Sequence, residues 1–206
     1  MKVLYIEARK KTKKINVKNF GSAVKKLPRE ISIFYTIQYR DLAEKLKDYL
    51  VKNNFSVLEF RQILGCTKIK KPADILLIGS GKFHALQLAL QTKKRVLIYE
   101  EGRINEIEKE EIENYEREIR GKLSKFYNSE HIGLLVSLKA GQFKLEKAKR
   151  VKKLLERKFK DKKFYLFIAD TINTQELENF PCFFVNFACP GLNLDSSRLL
   201  NYEDIF

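Results

Sequence analysis

An alternating, strand-like pattern opens the chain and later gives way to a helical period, and the switches between the two rhythms mark out its elements. Lys2 to Ala8 alternates and predicts a short strand, Lys10 to Lys14 an exposed loop, and Val17 to Leu27 a short helix ended by Pro28. Ile31 to Ile37, dense in β-branched and aromatic residues, predicts a stronger strand. From Tyr39 the period turns helical: Tyr39, Leu42, Ala43, Leu46, Tyr49 and Leu50 share one face, and Asn53-Asn54 supplies a stop. Phe55 to Phe60 is a further strand. Ile75 to Ile78 and Val96 to Tyr99 read as buried strands flanking a helix from Phe83 to Gln91, which completes a β-α-β pattern.

Ile104 to Tyr127 carries apolar residues close to a helical stripe and predicts one long helix joining two halves. The pattern then begins again. His131 to Leu138 predicts a strand, Lys139 to Gln142 a turn, and Leu145, Ala148, Val151, Leu154 and Leu155 the apolar face of a helix. Phe164 to Ala169 is another strand, Asn173 an N-cap for a short helix from Thr174 to Asn179, Phe183 to Phe187 a strand, and Leu199 to Phe206 a partly docked tail. Each half runs strand, glutamine-containing turn (Gln38, Gln142), amphipathic helix, strand and eventually a cysteine. The interval to the cysteine is longer in the second half, which implies an insertion there. The fold class expected is α/β, with two related Rossmann-like lobes built on small parallel sheets flanked by helices: residues 1–101 carrying Cys66 and residues 102–206 carrying Cys189.

At 206 residues and 44% apolar composition the chain can bury a proper core. No apolar run reaches a membrane-spanning length, and Met1-Lys-Val-Leu-Tyr-Ile-Glu7 meets charge too soon for a signal peptide, so a cytoplasmic protein with no membrane partner is expected. The net charge of +15 suits an acidic or nucleic-acid partner. It is spread unevenly: Arg9 to Lys14 and Lys139 to Lys163 are basic, while Glu100 to Glu118 is mostly acidic. Such runs are read either as solvated helix faces or, for Lys139 to Lys163, as the surface of an RNA- or ribosome-associated module.

Three cysteines, Cys66, Cys182 and Cys189, make a disulfide scaffold a poor reading and leave metal binding or inert burial. No C-x-x-C pair supports a zinc ribbon, but isolated thiols from separate lobes can bind an iron–sulfur cluster. Cys182, within Phe180-Pro-Cys-Phe-Phe184, fits inert packing best. Cys66 opens a loop, and the next strand runs through Gly79-Ser-Gly81 onto a helix near Phe83, so a thiol and a glycine-rich turn share a neighbourhood. Sites in Rossmann-like sheets form where helix N-termini and loops converge at the carboxyl ends of parallel strands. His84 is either a proton shuttle or a hydrogen-bonded core histidine. Backbone N–H groups of Gly79 to Gly81 and of Lys139 to Gln142 could approach a carboxylate or phosphate, although such glycines are also common without a ligand. Neither a P-loop nor a nucleophile elbow is present.

Leu64-Gly65-Cys66, Gly79-x-Gly-x-Phe-His84-Ala-Leu-x-Leu-Ala89, Thr92-Lys-Lys-Arg-Val96, Ile132-Gly-Leu-Leu-Val-Ser-x-Lys139-x-Gly-Gln142 and Phe180-Pro-x-Phe-Phe-Val-Asn186-x-Ala-Cys-Pro190 follow one another in order. Together they resemble the second and third domains of the archaeal diphthamide synthase family, the 2-(3-amino-3-carboxypropyl)histidine synthases. The resemblance implies three α/β lobes that each give one cysteine to a 4Fe-4S cluster, with Cys66 as the second-lobe ligand and Cys189 as the third. It further implies S-adenosylmethionine at the open iron, its cleavage to a 3-amino-3-carboxypropyl radical, and transfer of that group to a histidine of translation elongation factor 2. Gly81, His84, Lys139, Gly141 and Gln142 are then contacts for the methionine end. Nothing here corresponds to the family's first lobe, Gly191 stands where an arginine usually follows Cys-Pro, and Asp195-Ser196 replaces an acidic pair. The expectation is therefore the carboxyl-terminal chain of a split synthase, assembling with a partner chain that supplies the missing lobe and third cysteine, as a homo- or hetero-oligomer. The alternative is a non-catalytic structural or electron-relay homologue within a heteromer.

Overall fold

Ile31, Ile33 and Phe34 of β1, Glu30–Tyr35, are fully buried, and the strand lies inside its sheet between two parallel neighbours, β2 (Ser56–Gln62) and β3 (Asp74–Ile78). The fold was obtained as a computed structural model that describes Leu4, Ile6, Ala8, Phe20 and residues 24–70, 72–100 and 102–206. The strand expected from Lys2 to Ala8, the loop from Lys10 to Lys14 and most of the helix from Val17 to Leu27 lie outside the described residues. The chain divides into two packed units, Met1–Glu113 and Asn114–Phe206.

In the first unit the sheet order is β2-β1-β3-β4-β5, with β4 spanning Val96–Glu100 and β5 Arg103–Glu106. Alternate residues feed opposite layers. Ile31, Ile33, Leu76, Ile78 and Leu97 pack with α1 (Arg40–Lys52), while Phe34, Ile75, Leu77, Val96 and Ile98 pack with α2 (Lys82–Thr92). Cover on both faces is why these strands read as unbroken apolar runs.

The single long helix expected from Ile104 to Tyr127 is two elements. β5 turns back antiparallel onto β4, with Tyr99 opposite Ile104, and the helix α3 begins at Lys109 and ends at Asn128. Gly102, at φ +86, supplies the left-handed backbone the reversal needs. Ile104 and Ile107 are both buried, so their three-residue spacing satisfied a helical reading while the backbone was extended. Since β5 belongs to the first sheet, that unit extends to Glu113, past the division after residue 101 suggested by the sequence.

The second unit has the all-parallel order β7-β6-β8-β9: β6 His131–Ser137, α4 Leu145–Lys158, β7 Lys163–Ala169, β8 Phe183–Asn186 and β9 Leu199–Asn201. Ile132, Leu134, Val136 and Val185 pack with α4 residues Ala148, Val151 and Leu155 and with Phe126 of α3. On the opposite face, a Cβ at Gly133 would lie 2.6 Å from the Phe184 ring and 2.9 Å from the Phe167 ring, so only glycine lets the two aromatics close over β6. The expected helix from Thr174 to Asn179 is a 3-10 turn, Glu176–Asn179, preceded by a bond in which Asn173 Oδ1 accepts the Gln175 N–H at 3.1 Å. The expected tail is β9 followed by a 3-10 turn, Tyr202–Ile205, whose Tyr202 and Ile205 are buried.

Both sheets share the order second, first, third, fourth strand, which makes the two lobes copies of one plan. Where α2 joins the third and fourth strands of the first lobe, a 3-10 turn, Pro190–Leu194, does so in the second. Cys66 follows a second strand and Cys189 a third. The longer interval before Cys189 is thus one further strand and not an insertion.

Candidate thiol sites at the strand ends

In the first lobe the chain leaves β1 towards β2 on one side and leaves β3 towards β4 on the other, so the crevice between β1 and β3 is the switch point of the sheet. The loops there are tightly apposed: the Thr36 N–H donates to Ile78 O at 3.2 Å, and a Cβ on Gly79 would touch Thr36 Oγ1 at 3.4 Å. Cys66 sits in the neighbouring loop, exposed, in a turn closed twice. The Thr67 N–H donates to Leu64 O at 2.9 Å, and Thr67 Oγ1 accepts the Leu64 N–H at 2.8 Å. Gly65 rests on Phe83 so closely that a Cβ would lie 2.5 Å from the ring. From α2, Gln91 Oε1 accepts the Ile69 N–H at 2.6 Å and Gln91 Nε2 donates to Thr67 O at 3.4 Å. The thiol is presented to solvent by backbone that is held from below.

Gly81 and His84, three positions apart in sequence, line different spaces. Gly81, at φ +83 and exposed, borders an open cavity of about 580 Å³ with Lys82, Glu100, Asn105 and Glu111. Lys82 donates a hydrogen bond to Glu111 there, which raises the lysine's pKa and lowers the glutamate's. His84 lines a cavity of only about 20 Å³ with Ile63, Gly65 and Thr67, beneath the Cys66 turn. That volume suits about one water molecule. Burial pushes the His84 imidazole below its ordinary pKa, favouring the neutral ring.

In the second lobe the turn after β6 is closed by the Gln142 N–H donating to Lys139 O at 3.0 Å, with Gly141 at φ +80. Lys139 and Gly141 are exposed and Gln142 is half-buried. The buried Ser137 ties this turn to the neighbouring strand end: its Oγ accepts the Lys139 N–H at 3.1 Å and donates to Asp170 O at 3.3 Å. Cys189, half-buried, follows β8 and starts the Pro190–Leu194 turn. Two buried asparagines fix it. Asn186 Nδ2 donates to Cys189 O and to Asn201 Oδ1, both at 2.8 Å, and Asn186 Oδ1 accepts the Ala188 N–H at 2.8 Å. Asn201 Nδ2 donates to Pro190 O at 3.4 Å. Cys182 is buried against Leu135, Phe184 and Leu199, and burial raises its thiol pKa.

Among the described residues no group of three or more His, Cys, Asp and Glu side chains is gathered to hold a metal ion. Each lobe instead offers one accessible or half-accessible thiol on a braced loop, a donor of the right kind for iron but too few from one lobe for a cluster. Asn201 and Gln91, which brace the cysteine loops, were not singled out from sequence. Asn201 signalled itself only as the polar end of a short apolar strand, and Gln91 not at all among the other polar residues of α2. No described helix is long and apolar enough to cross a membrane.

The sequence profile of the family described as "Putative diphthamide synthesis protein" matches residues 1–202. The 2-(3-amino-3-carboxypropyl)histidine synthase of Pyrococcus horikoshii is 32% identical over 191 residues, covering 86% of this chain and 54% of the relative. The protein of the same name from Methanocaldococcus jannaschii is 31% identical over 186 residues, covering 87% of this chain and 50% of the relative. The crystal structure of Dph2 from Pyrococcus horikoshii matches with a TM-score of 0.79 at 29% identity, over 92% of this chain and 60% of that one. The structure of that protein with a 4Fe-4S cluster matches with a TM-score of 0.78 at 30% identity, over 92% and 59%. The chain spans about half the length of the curated relatives it matches.

Proposed function

Because this chain belongs to the diphthamide synthesis protein family, we propose that it is the part of a diphthamide synthase that supplies two thiolate ligands, Cys66 and Cys189, to a 4Fe-4S cluster. The observation that carries this reading is that each lobe presents one thiol on a braced loop at the carboxyl ends of parallel strands. A partner chain contributes the third cysteine. Cys66 and Cys189 would hold the cluster, which when bound would supply the one electron needed to break the sulfur–Cγ bond of S-adenosylmethionine, releasing methylthioadenosine and leaving the 3-amino-3-carboxypropyl group for a histidine of translation elongation factor 2.

The chain's own residues place and shelter. The Leu64–Thr67 turn and Gln91 hold the backbone of the loop that carries Cys66, and Asn186 and Asn201 hold that of the loop that carries Cys189. Gly81 and Gly141, with positive φ and no side chain, leave backbone N–H groups open to a carboxylate such as the methionine end of the cofactor. Lys139, exposed beside Gly141, adds a cation to that turn. His84, beneath the Cys66 turn, serves as a polar floor. The test is coexpression with candidate amino-terminal chains, followed by iron and sulfide analysis and turnover on elongation factor 2. Cluster content that falls in both Cys66→Ala and Cys189→Ala supports the proposal. No cluster in any assembly defeats it, and a cluster without turnover makes the chain a structural or electron-relay subunit instead.

A further inference from the structure

Lys122 of α3 is 2% exposed. A buried ammonium is costly unless its donors are satisfied, so what it bonds shows what holds it there. Its Nζ donates to Asn193 O and to Asn193 Oδ1, the latter at 3.1 Å, and pairs with Glu118 Oε1 at 2.7 Å. Asn193 is itself completely buried, and its Nδ2 has no partner. Asn193 therefore leaves its side-chain donor unpaired while presenting both its backbone and its side-chain oxygen to the lysine. Asn193 lies in the Pro190–Leu194 turn, which begins at Cys189 and is closed by the Leu192 N–H donating to Cys189 O at 3.1 Å.

We propose that Lys122 is a positioning residue that latches the turn carrying Cys189, reaching it through Asn193 from a helix 71 residues away in sequence. Apolar packing could bury this turn but would leave its rotation free. An ammonium bonded twice to one residue sets the rotation of the turn and hence where the Cys189 thiol points. Asn186 and Asn201 hold the start of the turn and Lys122 holds its far end. The value of the latch to the protein rests on Cys189 being a cluster ligand, but its geometry does not.

The test uses the full chain without iron. Alkylation of Cys189 and Cys66 by iodoacetamide is followed by peptide mass spectrometry, with the exposed Cys66 as an internal reference and circular dichroism to confirm that each variant is folded. Lys122→Met should raise the Cys189:Cys66 rate ratio on the order of tenfold, the effect of removing a charge-assisted hydrogen bond from a local opening. Lys122→Arg, which keeps donors at this position, should restore most of the lost protection. Glu118→Gln, which leaves both bonds to Asn193, should not change the ratio. If Lys122→Met does not fold, Asn193→Ala is measured in its place, with a smaller rise in the same direction expected. An unchanged ratio, or equal acceleration at both cysteines, overturns the latch. Failure of every assembly to bind iron would defeat the ligand reading while leaving this result standing.

Discussion

Replacing Asn186 by leucine, nearly the same shape without the amide, removes three hydrogen bonds at once. Cys189 O keeps the Leu192 N–H as a donor, so it is not orphaned. The Ala188 N–H and Asn201 Oδ1 lose the partners described above, and both residues are buried. Two buried groups left unmade at about 1–3 kcal/mol each give a loss of about 2–6 kcal/mol. Urea unfolding followed by far-ultraviolet circular dichroism measures the loss, and amide exchange at Ala188 locates it. The double variant Asn186→Leu with Asn201→Leu sharpens the test, because removing both partners of a buried bond spares the second one its desolvation penalty. It should cost at least about 1 kcal/mol less than the sum of the single variants. A loss under about 1 kcal/mol for Asn186→Leu, or strict additivity in the cycle, would refute the claim that this pair holds the Cys189 loop.

Gly133→Ala should destabilise the second lobe by about 1–3 kcal/mol, since the added methyl would stand under 3 Å from the rings of Phe184 and Phe167 and force one of them to shift; thermal denaturation with an unshifted midpoint would contradict this. Burial, aided by the Glu203 carboxylate, holds the Asp204 carboxyl up at about 6 against its ordinary 3.8. The folded state thus binds that proton more tightly than the unfolded one, so the group favours folding most below the unfolded value and costs stability as pH rises through the window up to about 6. Asp204→Asn should accordingly gain in urea midpoint over the parent as pH is raised from about 4 to about 7; parallel curves across that range would show the reasoning wrong.

The strands β1, β3, β4 and β6 were legible as short unbroken apolar runs, and the helices α1 and α4 because each buries one face at a helical period. β5 was hidden by two isoleucines whose spacing fits both periods, and β9 by its brevity, since three residues, Leu199–Asn201, carry no period at all. The thiols Cys66 and Cys189 stood out because cysteine chemistry is visible residue by residue. The residues that aim them did not: Lys122 meets Asn193, and Asn186 meets Asn201, only after folding brings distant segments together. A lysine between Ile119 and Leu123 on an apolar stripe was a faint sign, and nothing local said what it would hold.

Two lobes built on one strand order carry their cysteines on loops that do not correspond, one after a second strand and one after a third. Rotating one lobe onto the other would therefore superpose Cys66 on the region of Asp170 to Asn173, where no thiol exists, and Cys189 on Gly79 to Gly81. Pseudosymmetry is thus no guide to which loop of a lobe built on this plan carries a thiol. A search there has to treat both crossover loops as eligible and let the thiol, not the superposition, decide.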